Sequence, residues 1–240
     1  MTSIAPTTTI LDLGADLDDP TDGYDFYREI HKGIRYALFH TTMAVGRLDV
    51  ADTDEVDRVL QAHRDLHDLL HLHHHHEDEF VQPLVVAHAP ELADVVEVQH
   101  GDVDDGLTQL ARLGDRLASG AAPGRARTAH HLYLDLTRLT SAYLSHQLVE
   151  ETEVMPALRT AVPTDELFAL DMALRASVPP PVMVDVMRFM LPAMNIDERA
   201  DMVGGMSMAP PEVFAVFGAA AQAALSPADW TQLAGRLGLH

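Results

Sequence analysis

The chain has 240 residues and a mass of 26.3 kDa, room for one large domain or a medium domain with a smaller one. Hydrophobic residues make up 47%, enough for a sizeable core, and 16 Lys and Arg against 37 Asp and Glu give a formal net charge of −21, which excludes general affinity for phosphate backbones and disfavours docking on anionic lipid. There is no cysteine, so disulfides, thiolate catalysis and Cys-based metal sites are out; the 15 histidines, several beside acids, leave imidazole and carboxylate as a ligand set suited to iron, manganese or zinc.

Residues 1–20 are Thr-rich, acidic and aperiodic, and are expected to form a flexible lead. They carry no basic start and no apolar stretch of a secretory signal, and no run approaches the ~18 apolar residues of a membrane span, so the expected compartment is the cytoplasm. Four long segments with helical period follow, over about 23–48, 53–88, 90–119 and 123–160. Their aligned faces carry Tyr27, His31, Ile34 and Leu38; Leu66, Leu70, His73, Glu77 and Leu84; Val96, His100, Val103 and Leu107; and Leu136, Leu139, Tyr143, His146 and Glu150. The breaks between them are short, which implies antiparallel neighbours and predicts an all-α, up-down-up-down four-helix bundle over 21–161. Beyond 161 the texture changes. Residues 162–240 hold eight of the eleven methionines and several prolines, and short helices are expected at 164–177, 181–191, 196–204, 211–225 and 227–238. Asn195 with Glu198, and Ser226 with Pro227, read as helix starts. This part is expected to be a small appended helical domain.

The chemistry sits in a repeat. His73-His-His-His-Glu77-Asp78 with Pro83 matches His146-Gln-Leu-Val-Glu150-Glu151 with Pro156, and the His31 segment matches the His100 segment. Residues i and i+4 share a helix face about 5–6 Å apart, so the imidazole and the carboxylate of each pair can reach one cation or two adjacent ones. Both pairs lie on apolar stripes, where an ionised Glu would cost several kcal/mol without compensation. At ~1.5 Å rise per residue, antiparallel packing brings His31, His73, His100 and His146 to one end of the bundle. Six candidate ligands from four helices, with Glu77 and Glu150 free to bridge, describe a dinuclear cation site.

This order, H…HxxxE…H…HxxxE, resembles the hemerythrin/HHE cation-binding family over residues 23–160. The resemblance implies a non-haem centre of two iron ions held by His31, His73, Glu77, His100, His146 and Glu150, with both glutamates bridging, and O2 as ligand or co-substrate. The sequence departs from the oxygen carriers of that family at two places: Asp104 stands where they have a second third-helix His, and the fourth-helix acid is Glu150 at i+4. A seventh ligand position is therefore open, with His74 and Asp104 as candidates. Tyr27 and Tyr143, one turn from His31 and His146, are candidates to contact the ligands.

The other histidines are assigned elsewhere. His67, His71, His74 and Asp78 read as a separate, solvated face; within the run His73–His76 only His73 is expected on the Glu77 face; and His63 reads as packing. Glu79 and Glu153 are expected in solvent, and the series Met183, Met187, Met190, Met194 as helix packing. The leading functional expectation is an O2-activating oxidase or oxygenase acting on a small molecule. The alternatives are reversible binding or sensing of O2, NO or iron, and peroxide detoxification.

Overall fold

The computed structural model describes residues 23–120 and 122–239, so the lead expected over 1–20 lies outside the described residues. All regular elements among them are helical. In chain order they are α1 (Arg28–Gly46), α2 (Thr53–His76), a π-helical turn π1 (Glu77–Val81), α3 (Gln82–His88), α4 (Pro90–Ser119), α5 (Ala122–Val149), a second π turn π2 (Glu150–Val154), α6 (Met155–Ala161), α7 (Thr164–Ser177), α8 (Pro180–Ala193), α9 (Ile196–Met206), α10 (Pro211–Ala224) and α11 (Pro227–Leu237).

The first four rods are α1, α2–π1–α3, α4 and α5–π2–α6. Each packs on two neighbours, α1 on α2 and α5, α4 on α2 and α5, and the short connections make them antiparallel, as the spacing predicts. Their starts are set by local chemistry. The Asp52 carboxylate accepts from the Asp54 and Glu55 amides, and Pro90 opens α4 where its missing N–H costs nothing.

The helices expected to run unbroken over 53–88 and 123–160 are each interrupted by a π turn. Gln82 N–H donates to the Glu77 carbonyl and Met155 N–H to the Glu150 carbonyl, five residues back instead of four. The cause is one residue further on. Pro83 and Pro156 have no N–H, and their rings crowd the carbonyl four residues before; one widened turn absorbs the misfit without breaking the rod.

Apolar packing falls into two clusters. Ile34, Leu38, Leu66, Leu70, Val103, Leu107, Leu136 and Tyr143 belong to the larger. Tyr27, Val81, Val85, Val96, Val154, Met155 and Leu158 belong to the smaller. On every rod the candidate ligands fall between a residue of one cluster and a residue of the other, so the bundle has two oily layers with a polar layer between them.

The C-terminal helices continue the larger cluster through Val186, Met187, Met190, Leu191, Val203, Phe217 and Leu233. The Asn195 capping box and the Ser226 cap form as the sequence indicates. Buried Arg199 ties three helices together: its Nε donates to the Leu191 carbonyl at the end of α8 at 2.7 Å, and one Nη pairs with Asp229 of α11 at 2.8 Å. Lys32 of α1 pairs with Glu198 of α9 at 2.5 Å, and α8 lies directly against α1. Among the described residues no single helix is long and apolar enough to cross a membrane; α7 and α8 pass that test only jointly, with a 112° bend between them.

The α1–α8 approach depends on Gly33. A Cβ there would stand 2.9 Å from Met190 Cγ, 3.1 Å from its Cα and 3.2 Å from its N. Two of those atoms are backbone and cannot swing aside. Gly33→Val is therefore expected to destabilise the chain by about 1–3 kcal/mol through overpacking, outweighing the few tenths that Val gains over Gly in helix propensity. Urea unfolding followed by circular dichroism measures it, and an unchanged midpoint would contradict the close approach.

Candidate metal centre

The bundle brings His31, His73, Glu77, His100, His146 and Glu150 together, and all six are buried, with relative exposures between 0% and 8%. His74 joins them at 4%. The donor atoms form two groups, each with its atoms within 4.8 Å of one another: His31, His73, Glu77 and Glu150, and His74, Glu77, His100 and His146. Glu77 belongs to both. One of its oxygens faces His73 Nε2 at 3.1 Å and the other faces His100 Nε2 at 3.5 Å. Glu150 Oε2 stands 3.3 Å from His31 Nε2 and 3.3 Å from His146 Nε2. Each carboxylate is thus held between imidazoles of two helices.

The inward atoms lack hydrogen-bond partners. His31, His73, His100 and His146 each present an unpaired Nε2, His74 both ring nitrogens, Glu77 both oxygens and Glu150 one. Buried polar atoms left unpaired in such number would be heavily penalised, and they all face one another. Donors bound to one ion at ~2.1 Å stand about 3 Å apart around it, close to the separations observed. Imidazole and carboxylate without thiolate suit iron, manganese or zinc. The residues present fit a pair of divalent cations.

The outward nitrogens are tied down. His31 Nδ1 bonds Glu151 Oε1 at 2.9 Å, and the same oxygen meets Arg35 at 2.9 Å. His100 Nδ1 bonds Asp78 Oδ1 at 3.0 Å, and His146 Nδ1 bonds Gln99 Oε1 at 3.0 Å. An N–H fixed outward leaves the Nε2 lone pair facing inward, the tautomer a ligand needs. Asp78 and Glu151 directly follow the ligand glutamates. They occupy equivalent places in the two repeats, the first residue past the start of each π turn. Each serves the histidine of a neighbouring rod.

Two expectations change here. The stripe of His67, His71, His74 and Asp78 is not one solvated face. Its lower members are partly or fully exposed, but α4 and α5 cover His74, whose ring stacks on His100 at 4.4 Å and on Tyr143 at 5.5 Å between centroids. His73 is therefore not alone in reaching the Glu77 side. Asp104 lies outside both donor groups; its side chain is 64% exposed and stands 3.6 Å from His74 Nδ1. Tyr27 and Tyr143 lie beside the ligands, with Tyr27 5.0 Å from the His31 ring and Tyr143 5.6 Å from the His146 ring. The Tyr143 hydroxyl is buried without a partner. His63 is buried beside α4 at Gly114, away from both groups.

The electrostatics of the bare ligand set are unbalanced. Burial pushes both glutamates up, but the surrounding imidazoles His73, His100 and His146 hold Glu77 well below the usual range. Glu150 stays above it, because burial is reinforced by the charge on Glu77. Burial works against a charged His31, yet Glu150 and Glu151 raise it to about 9; Glu77 and Asp78 do the same for His100, also to about 9. Burial pulls His73 and His74 down, and His146 to about 3. Two protonated and three neutral imidazoles around two close carboxylates put protons where cations would bind.

A cavity of about 90 Å³ adjoins the His73–Glu77 side. Phe26, Tyr27 and Leu69 line it from the bundle, and Leu174, Met183 and Met190 from the C-terminal helices. No local pattern announces it, since even the nearest residues of its two walls, Val81 and Asp171, are 90 positions apart.

Residues 22–158 match the hemerythrin HHE cation-binding domain. Comparison with the curated proteins and with the solved structures finds no match. The matched span covers more than half the chain and contains every inward-facing donor; with that match and this ligand geometry, the chain belongs to the hemerythrin HHE cation-binding domain family.

Proposed function

We propose that residues 21–161 hold a non-haem diiron centre and that the chain is an O2-activating oxidase or oxygenase, acting in the cytoplasm on a small molecule. The observation that carries the reading is the pair of donor groups sharing Glu77, every member buried and facing the others. His31, His73, His100, His146, Glu77 and Glu150 are the proposed ligands. His74, rather than Asp104, is the proposed extra ligand, since it lies in a donor group and Asp104 does not. Iron bound there supplies O2 binding and electron transfer.

The chain's own residues do the rest. Glu77 would serve both positions and Glu150 would complete the one it shares with His31 and His73. Glu151, Asp78 and Gln99 keep His31, His100 and His146 in the ligating tautomer. The apolar clusters on both sides exclude water. The two positions are unequal: one has three imidazoles and a carboxylate, the other two imidazoles and both carboxylates. The second lies against the cavity, because His73 and Glu77 line it, and that favours catalysis over carriage: a carrier needs access for O2 alone, whereas a cavity walled by residues 162–240 leaves room for a second reactant.

Anaerobic loading with Fe(II) followed by elemental analysis is expected to give two ions per chain. His74→Ala is expected to lose most of one ion, and Glu77→Ala most of both; a wild-type chain without stoichiometric metal overturns the reading. Glu151→Gln is expected to lower metal affinity ~10–100-fold, through loss of the His31 anchor, as measured by chelator competition. Exposure of the loaded protein to O2 in a stopped-flow spectrometer separates the readings of function. An absorption band whose decay a small organic substrate accelerates supports the enzyme, and a stable, reversible band supports carriage.

A further inference from the structure

The cavity beside His73 and Glu77 has a composition that selects its occupant. At about 90 Å³ it has the volume of roughly three waters at ~30 Å³ each, or one compact organic molecule of about five or six non-hydrogen atoms. Apart from the ligand-bearing end, His76 and the Asp171–Arg175 pair, its walls are apolar: Tyr27, Leu69, Leu174 and Val186 among them, with Met183, Met190 and Met202 on the C-terminal side. Water gains little in such a space, and unbranched thioethers let the wall reshape around a guest.

The charged residues on the wall are already engaged. Arg175 Nε donates to both Asp171 oxygens at 2.9 Å, and Arg175 also stands 3.5 Å from Glu29. The Tyr24 hydroxyl donates to Asp171 as well. A charged guest would have to break that network to find a counter-ion; a neutral one need not. Ser177 Oγ lies 3.4 Å from His76 Nε2, closing α7 over α2.

We propose that this cavity is a binding site for a small, neutral, mostly apolar organic molecule, the substrate class of the adjoining centre, and that α7, α8 and α9 serve to build it. The proposal rests on the diiron reading for its reactive end only. The mostly apolar lining and the paired Asp171 and Arg175 belong to the fold without any cation.

The test uses the full-length chain stripped of metal, with cyclopentanol as neutral probe and butanoate as its anionic counterpart of similar size, each followed by saturation-transfer NMR and titration calorimetry. Cyclopentanol is expected to bind saturably and butanoate not at all. Met183→Trp and Val186→Phe, which fill the cavity from α8, are expected to weaken cyclopentanol at least about tenfold while far-UV circular dichroism stays unchanged. If both unfold, Leu174→Ala decides: it enlarges the cavity and is expected to admit cyclooctanol, which the parent chain excludes. No saturable cyclopentanol binding, butanoate binding equally well, folded filling variants that bind like the parent, or a Leu174→Ala chain that gains nothing would each overturn the proposal. Metal stoichiometry is measured separately, so loss of the diiron reading with probe binding intact, and the reverse, are distinct results.

Discussion

Two buried carboxylates facing five buried imidazoles across a few ångströms form the constraint around which this protein is arranged. Taking one ion out of water costs several kcal/mol even after relaxation, and here Glu77 and Glu150 lie between two apolar clusters with both Glu77 oxygens and Glu150 Oε2 forming no hydrogen bond. Protons alone settle this unevenly: one glutamate falls below its usual range while the other rises above it, and only two of the imidazoles become charged. A cation at each donor group would give one atom of every member a partner. The remainder of the bundle keeps that layer in place, with apolar residues above and below it on every rod.

The two halves of the bundle solve one local problem in the same way. In each, a proline six residues after the ligand glutamate goes with a π turn that starts at that glutamate, and the next acid anchors a histidine on another rod. The supports are nonetheless unequal. Glu151 pairs with Arg35, Asp78 is largely exposed, and Gln99 is a neutral amide. A carboxylate partner makes an imidazole a stronger donor than an amide does, so the proposed cation positions differ in electron supply as well as in ligand count. A duplicated motif thereby yields an asymmetric centre, with one position facing packed protein and the other a cavity.

The C-terminal helices owe their place to small residues and buried charge. Gly33 lets the α8 backbone touch α1, Arg199 ties α8 to α9 and α11, and the Tyr24–Asp171–Arg175–Glu29 network holds α7 over the site. Packed in this way, the region shares the apolar core of the bundle and supplies half of the wall beside His73. The methionines expected to be helix packing take two places: Met187, Met190 and Met194 are buried in the core, and Met183 and Met190 line the cavity.

By itself the sequence determined the rods, their order and the ligands, because these rest on local rules. Helical period places His73 and Glu77 on the stripe with Leu66 and Leu70, short breaks force antiparallel neighbours, and repetition of the motif marks the same residues twice. Caps at Asn195 and Ser226 were legible for the same reason. Only the tertiary structure decided what depends on contacts between rods. His74 looks solvated on a helical wheel and becomes buried because α4 and α5 cover it. Asp78 and Glu151 were visible in the repeat, but their partners lie on other helices. The cavity joins residues near 27 and 73 to residues near 174 and 190, and no periodicity along a chain encodes the space left between surfaces that distant in sequence.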